Sequence, residues 1–276
     1  MITSRAEVPF TLLIRFMILR HHYSLPKIKA FRILFWLSFI FCIIADAQTT
    51  GNNQLIFNKG SYSIFTVKVD SSTLKRFKLV QNLAGVSHND FISPYIKSDP
   101  NIFITNGCIW DTLYKPIGLF ISERKIINPL NLNDGNQMGF YLKPNGVFII
   151  SDSDAVIMES SKASNYMNCS IAVQSGPMLV IDGEIHAKFA PNSKNKYFRC
   201  GVGIYTDNAV KYLVFAASNE PVTLYEFAML FKDYFRCKYS LCLQSAGCVM
   251  YTPFIDRKNP IDNNPVANYI IYVNHD

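Results

Sequence analysis

From residue 62 onward the chain is a succession of short apolar runs, each closed by turn-forming residues: "YSIFTVKV", "RFKLV", "IFIT", "IGLFIS", "GFYL" and "GVFII", then "SIAVQ", "PMLVID", "GVGIY", "YLVFAAS" and "NYIIYV". Such runs fall short of an ordinary helix of about 11 residues and are rich in β-branched and aromatic side chains, which suit a pleated surface. Turn signals such as "PNG" at 144–146 and "DG" at 182–183 separate them. One helix is specified inside this pattern. Thr223 and Glu226 form a capping box, and Leu224, Phe227, Ala228, Phe231 and Phe235 fall on one face. A second, shorter helix is expected over "NDFISPYIK", limited by Pro94. The fold class that follows is α+β: a single domain with a large mixed or antiparallel sheet and few helices.

The N-terminus has a different character. A basic stretch, "PKIKAFR", precedes twelve uncharged apolar residues, "ILFWLSFIFCII", and then "ADAQ", with Ala45 and Ala47 placed as at a cleavage site. Twelve residues span about 18 Å as a helix, too short for a hydrocarbon core of about 30 Å. The expectation is a signal peptide over 1–47, with Met17 as an alternative start, and a product without a stable membrane span, secreted or periplasmic. Residues 48–61 are read as an N-terminal segment and 62–273 as the domain. The net charge of +7 belongs largely to this leader: from Gln48 onward 21 bases face 18 acids, with no Lys/Arg run. That is no footprint for nucleic acid, and no nucleic-acid partner is expected.

Six cysteines follow the leader: Cys108, Cys169, Cys200, Cys237, Cys242 and Cys248. Six allow 15 pairings, and spacing selects none of them. No Cys-x-x-Cys occurs, and His88, His186 and His275 are far apart, so neither a metal site nor a cofactor is expected. Asn168-Cys169-Ser170 matches a glycosylation sequon.

Four polar clusters stand at the ends of expected strands, where sites tend to be built. Asn106-Gly107 ends "FITNG" and can present an amide and free backbone N–H groups; an ordinary Asn-Gly turn is the alternative. Gln174, Ser175 and Gly176 form a polar kink before Pro177, which removes a donor and must break the ladder. No neighbouring histidine equips Ser175 as a nucleophile, so a binding role through its hydroxyl and the Gly176 amide is preferred. Arg199 precedes Gly201 and Gly203 and offers a fork matched to phosphate or carboxylate, though a surface arginine without a role is the commoner case. Asn219 and Glu220 lie just before the capped helix, near an anion-friendly terminus.

Taken together, "QSGPMLVIDGEIHAKFAP", the Arg199-x-Gly-Val-Gly element, "FAASNEPVTLYEFAMLF" and "PNGVF" closely resemble the phosphodiester glycosidase domain family, over roughly residues 62 to 273. The resemblance implies an exported hydrolase that cleaves the glycosidic bond of a sugar-1-phosphodiester. It makes Arg199 the phosphate clamp, with Asn106-Gly107 and Ser175-Gly176 as walls and Gln174 and Asn219 beside them. A phosphate leaving group needs little acid help but does need its charge neutralised.

The family's last signature, a Leu-Asp-Gly-Gly turn followed by a small residue and Ser, aligns with "LQSAGC". Leu243 and Gly247 are kept, while Gln244 stands at the Asp, Ser245 and Ala246 at the first two glycines and Cys248 at the Ser. Cys108 likewise replaces a glycine after Asn106. Gln cannot ionise, so Gln244 is no base, nucleophile or full-charge ligand. If the family Asp is essential to the chemistry, Glu220, Glu184 or Asp111 must supply the carboxylate, or Cys248 a nucleophile with Gln244 as oxyanion donor; if it only orients other groups, Gln244 can stand in for it and turnover survives. The alternative is a non-catalytic glycan or phosphoglycan binder derived from the enzyme.

Overall fold

Antiparallel pairing joins the strands of three sheets in the structure, a computed structural model that describes residues 48–50, 53–135, 139–165, 169–257 and 264–274. The expected leader over 1–47, Asn168 of the sequon and His275 lie outside the described residues. Strands hold 43% of the described residues against 16% in helices, so the expected α+β class with few helices stands.

The large sheet has eight strands, in the order Gln48–Thr50, Gln54–Phe57, Gly60–Lys68, Val210–Ser218, Arg199–Asp207, Tyr239–Ser245, Met178–Ile181, Glu184–Ile185. A second sheet orders Lys125–Asn128, Phe120–Ser122, Ile171–Ser175, Gly146–Ile150 and Ala155–Glu159. The third orders Ile255–Arg257, Met250–Thr252, Phe103–Asn106, Asn268–Tyr272 and Phe77–Gln81. The expected strand "GFYL" is instead a 3-10 turn over Gly139–Tyr141. It buries Phe140 alone, and Pro144 follows it, a residue without the N–H that a ladder would use.

The sheets meet on an aromatic core. Phe215 of the large sheet lies 5.0 Å from Phe103, 5.9 Å from Phe77 and 5.9 Å from Phe148, measured between ring centroids. Those partners come from the third sheet and, for Phe148, the second; each of these four rings is at most 5% exposed. One ring therefore ties together segments distant in sequence.

The other face of the large sheet is covered by the helix Leu224–Met229 and a π-helical turn, Leu230–Tyr234. Its start is fixed reciprocally: Glu226 N donates to Thr223 Oγ1 at 3.0 Å, and Thr223 N donates to Glu226 Oε2 at 2.8 Å. Phe227 and Phe231 pack down onto the sheet. Gly203 makes the closest approach possible, since a Cβ there would stand 2.6 Å from a Phe231 ring carbon. Thr223→Ala should lower the unfolding free energy by about 1 kcal/mol, the usual worth of such a cap. A urea midpoint equal to that of the native chain would mean that ring packing alone holds the helix.

Four hairpins turn through two residues with positive φ: Asn58-Lys59 (48° and 67°), Glu123-Arg124 (48° and 63°), Asp182-Gly183 (51° and 84°) and Asn208-Ala209 (46° and 64°). This is the I′ pattern, whose twist matches that of the flanking strands.

Candidate active site

The turn after Tyr239–Ser245 is where the chain leaves one sheet for another, since Met250–Thr252 already belongs to the third sheet. Its geometry begins with a register shift. Cys200 faces Gln244, but Gly201 faces Cys242, so Leu243 has no residue opposite it. Such a bulge frees a backbone group and bends the strand. The Leu243 carbonyl accepts instead from Ser175 Oγ at 2.9 Å. Ser175 ends a strand of the second sheet, and the chain crosses at Gly176-Pro177 into the large one at Met178.

Asn106 holds the far side of the turn from the third sheet. Its Nδ2 donates to Gly247 O at 3.0 Å, and its Oδ1 accepts from Val249 N at 2.8 Å and from Cys200 Sγ at 3.2 Å. Ala246, at φ 67°, donates its N–H to Phe198 O at 2.9 Å. Three sheets thus converge on Leu243–Cys248, and the half-exposed residues Gln244 to Gly247 form its mouth.

Arg199 lies opposite Ser245 and is 4% exposed. Its Nε donates to Val222 O at 3.0 Å, Nη1 to Ser245 Oγ at 2.8 Å and Nη2 to Asn195 O at 3.3 Å. Its backbone N–H donates to Ser218 Oγ at 3.0 Å, and its guanidinium carbon sits 5.5 Å from the centre of the Tyr197 ring. Every one of these acceptors is neutral. Among the described residues no carboxylate is paired with Arg199, and burial pulls its pKa below the ordinary range, opposed by the neighbouring Cys242 and Cys248. A buried cation without a counter-ion is costly unless an anion arrives to meet it.

The remaining nominated residues divide in two. Gln244 is in the mouth; its Oε1 accepts from Ser245 N at 2.9 Å, and its amide nitrogen has no protein partner among the described residues. Gly107 is packed against Asn268, whose Oδ1 would lie 2.3 Å from a Cβ added to it. Gln174 is buried and fully engaged: its Oε1 accepts from Leu119 N and Asn131 N, and its Nε2 donates to Asn131 O and Ser160 Oγ. It braces a loop of the second sheet. Asn219 bonds Ser61 and Ser63, and Glu220 accepts from Ser61 N at 3.0 Å, so both fasten to the strand Gly60–Lys68 and make no hydrogen bond to Arg199 or the turn.

The other carboxylates considered are engaged elsewhere. Glu184 pairs with Lys232 at 2.6 Å, and Asp111 accepts from Leu113 N and Lys115 N in its own loop. Cys248 donates its thiol to Phe198 O at 3.2 Å and Gln244 O at 3.3 Å. His88 bonds Tyr269 and His186 stacks on Phe189, so neither serves that thiol as a base. Burial pushes the Cys242 thiol up to about 11 and Cys108 up to about 12, keeping both protonated at neutral pH. The six cysteines from Cys108 to Cys248 are all buried. Among the described residues no group of three or more His, Cys, Asp or Glu could hold a metal ion, and no helix is long and apolar enough to cross a membrane.

Asn268 is the residue that sequence reasoning missed. It is fully buried, accepts Cys108 N on Oδ1 at 2.7 Å, and leaves its Nδ2 without a partner. Its one signal was an amide at the head of the apolar run "NYIIYV".

The bulged junction of three sheets thus sets a buried guanidinium, paired only with neutral acceptors, beside a small-residue mouth. The sequence profile of the phosphodiester glycosidase family matches residues 99–273, and the chain belongs to that family. It is 33% identical over 146 residues to the uncharacterized protein YigE of Escherichia coli K12. That match covers 53% of this chain and 56% of YigE, so the chain spans little more than half the length of this relative. In fold it resembles the catalytic domain of zebrafish N-acetylglucosamine-1-phosphodiester alpha-N-acetylglucosaminidase, auto-inhibited by its pro-peptide. The TM-score is 0.54 at 14% identity, over 84% of this chain and 82% of that one. A hypothetical protein from Synechocystis matches at a TM-score of 0.46 and 11% identity, over 79% of this chain and 60% of that one.

Proposed function

We infer that this is an exported protein that binds a sugar-1-phosphodiester, with the phosphate against Arg199 and the sugar toward the Gln244–Gly247 mouth. The observation that carries this reading is the buried Arg199 guanidinium, paired only with neutral acceptors. A phosphodiester supplies the missing charge and two acceptor oxygens. Binding is favoured over turnover because Gln244 occupies the place of the family's acid and none of Glu220, Glu184 and Asp111 is turned toward the turn. With those three carboxylates engaged elsewhere, none of them is placed to activate a water or capture an oxocarbenium-like sugar at the mouth.

Hydrolysis is the second reading, favoured by membership of the family and by the ease with which a phosphate departs once its charge is neutralised. The two readings separate in one assay. The native chain should bind sugar-1-phosphodiesters without releasing sugar, and Gln244→Asp combined with Ser245→Gly should introduce release. Sugar release by the native chain would instead establish the hydrolase, and an absence of binding across a broad panel would remove both readings.

A further inference from the structure

Four loops rise from strand ends that meet at the Gln244–Gly247 mouth. Residues 82–86 follow the strand Phe77–Gln81, whose Gln81 lies opposite Asn268, next to the pair of Asn106 and Tyr269. Residues 107–118 leave Asn106 and return at Leu119, which is bonded to Gln174, the neighbour of Ser175. Residues 129–135 follow Asn128, and Asn131 N donates to the same Gln174 side chain at 2.9 Å. Residues 190–197 lead into Arg199. Each loop turns a large apolar side chain to solvent: Leu83 is 85% exposed, Leu113 70%, Leu132 51% and Tyr197 52%. With Val86 and Tyr114 these make six of the ten exposed large apolar side chains among the described residues, so such surface is concentrated at this end.

All four loops are braced, so the fold itself holds these tips out. Asn82 Nδ2 donates to Val86 O at 2.8 Å, and its Oδ1 accepts from Val86 N at 3.1 Å. Asp111 Oδ1 accepts from Leu113 N at 2.8 Å and Lys115 N at 2.9 Å. Asn131 Nδ2 donates to Ile117 O at 3.0 Å, and Tyr197 exchanges backbone bonds with Val222 at 3.0 and 2.9 Å. The pattern selects a lipid surface over a protein partner, which is met by one continuous, packed apolar face. Here single tips are spaced by polar residues over four loops, and a fluid interface takes in such tips one at a time. Leucines enter the acyl boundary, and a tyrosine ring, apolar with a polar hydroxyl, settles at headgroup level. Lys115, beside Leu113, and Lys194, beside Tyr197, are exposed and match anionic headgroups. The acids of these loops face inward or are paired: Asp111 holds its own loop's amides, and Asp134 meets Lys143 at 2.9 Å.

We propose that this rim docks on the surface of an anionic lipid bilayer, with Leu83, Leu113, Leu132 and Tyr197 at the interface. The docking requires nothing of Arg199. Only its consequence, that the mouth faces ligands anchored in the bilayer, rests on the phosphodiester reading.

The native chain should co-sediment with vesicles of equimolar phosphatidylcholine and phosphatidylglycerol. Leu83→Asp combined with Leu113→Asp should lower the partition coefficient at least about tenfold, with an unchanged urea midpoint because both side chains are already exposed. Phe254→Asp, on a hairpin at the far end of the third sheet, should partition as the native chain does. Which end meets the lipid is read separately: Leu113→Trp should add fluorescence that brominated lipid quenches, and Phe254→Trp should not. A native chain left in the supernatant would overturn the proposal, as would native partitioning of the double variant or equal quenching at positions 113 and 254. Arg199→Ala should lose the phosphodiester and keep the vesicles; if it lost both, a headgroup phosphate in the site would be the contact and the rim would not. Vesicle binding without any phosphodiester binding would sink the reading of the Arg199 site while the docking surface stands.

Discussion

Arg199→Ala should lose at least about 100-fold in affinity for a sugar-1-phosphodiester while remaining folded. A guanidinium carries five N–H donors, and three of those of Arg199 are committed to Val222, Ser245 and Asn195. Two remain for an incoming phosphate, and hydrogen bonds to charged groups contribute about 1.5–3 kcal/mol each. Losing both amounts to about 3 kcal/mol or more, which at about 1.4 kcal/mol per decade is the stated change. Calorimetric titration with the diester measures it, and circular dichroism checks the fold. Arg199→Lys should fail nearly as badly, since an ammonium cannot hold three separated acceptors and still offer a fork. If Arg199→Ala bound within threefold of the native chain, the phosphate would have to sit elsewhere.

Phe215→Ala should be the most damaging single change in the core. The ring is fully buried and contacts aromatic partners from all three sheets. Truncating a buried Phe costs about 3–5 kcal/mol, out of a total stability of about 5–15 kcal/mol for an ordinary domain. In a domain of this size each kcal/mol moves Tm by about 2–4 °C, so a fall of about 10 °C is expected. Phe254, 70% exposed, supplies the control; its alanine variant should stay within about 0.5 kcal/mol of the native chain. A similar, small loss at both positions would mean that the junction is not held by these rings.

The strands were legible because they are written locally. "GVFII" and the runs around Gly203 and Phe215 became strands at or near their expected bounds. The capping box at Thr223 and Glu226 was equally local, and it formed. Turns without glycine were not legible. Lys59, Glu123 and Arg124 adopt left-handed geometry that their residue types do not advertise, because the strand pairing on either side overrides their preference. At the candidate site, Arg199 and the "LQSAGC" turn could be nominated from their residue types. That Asn106 would close on Gly247 and Ser175 on Leu243 could not, since those bonds join positions 141 and 68 residues apart. No propensity carries pairing over such distances.

The bulge at Leu243 ties the mouth to all three sheets at once. Ser175 of the second sheet holds the Leu243 carbonyl and Asn106 of the third holds Gly247. The mouth therefore keeps its shape only while the three sheets keep their mutual packing, and a cavity opened in the shared aromatic core, far from the turn, is felt there as a loss of shape.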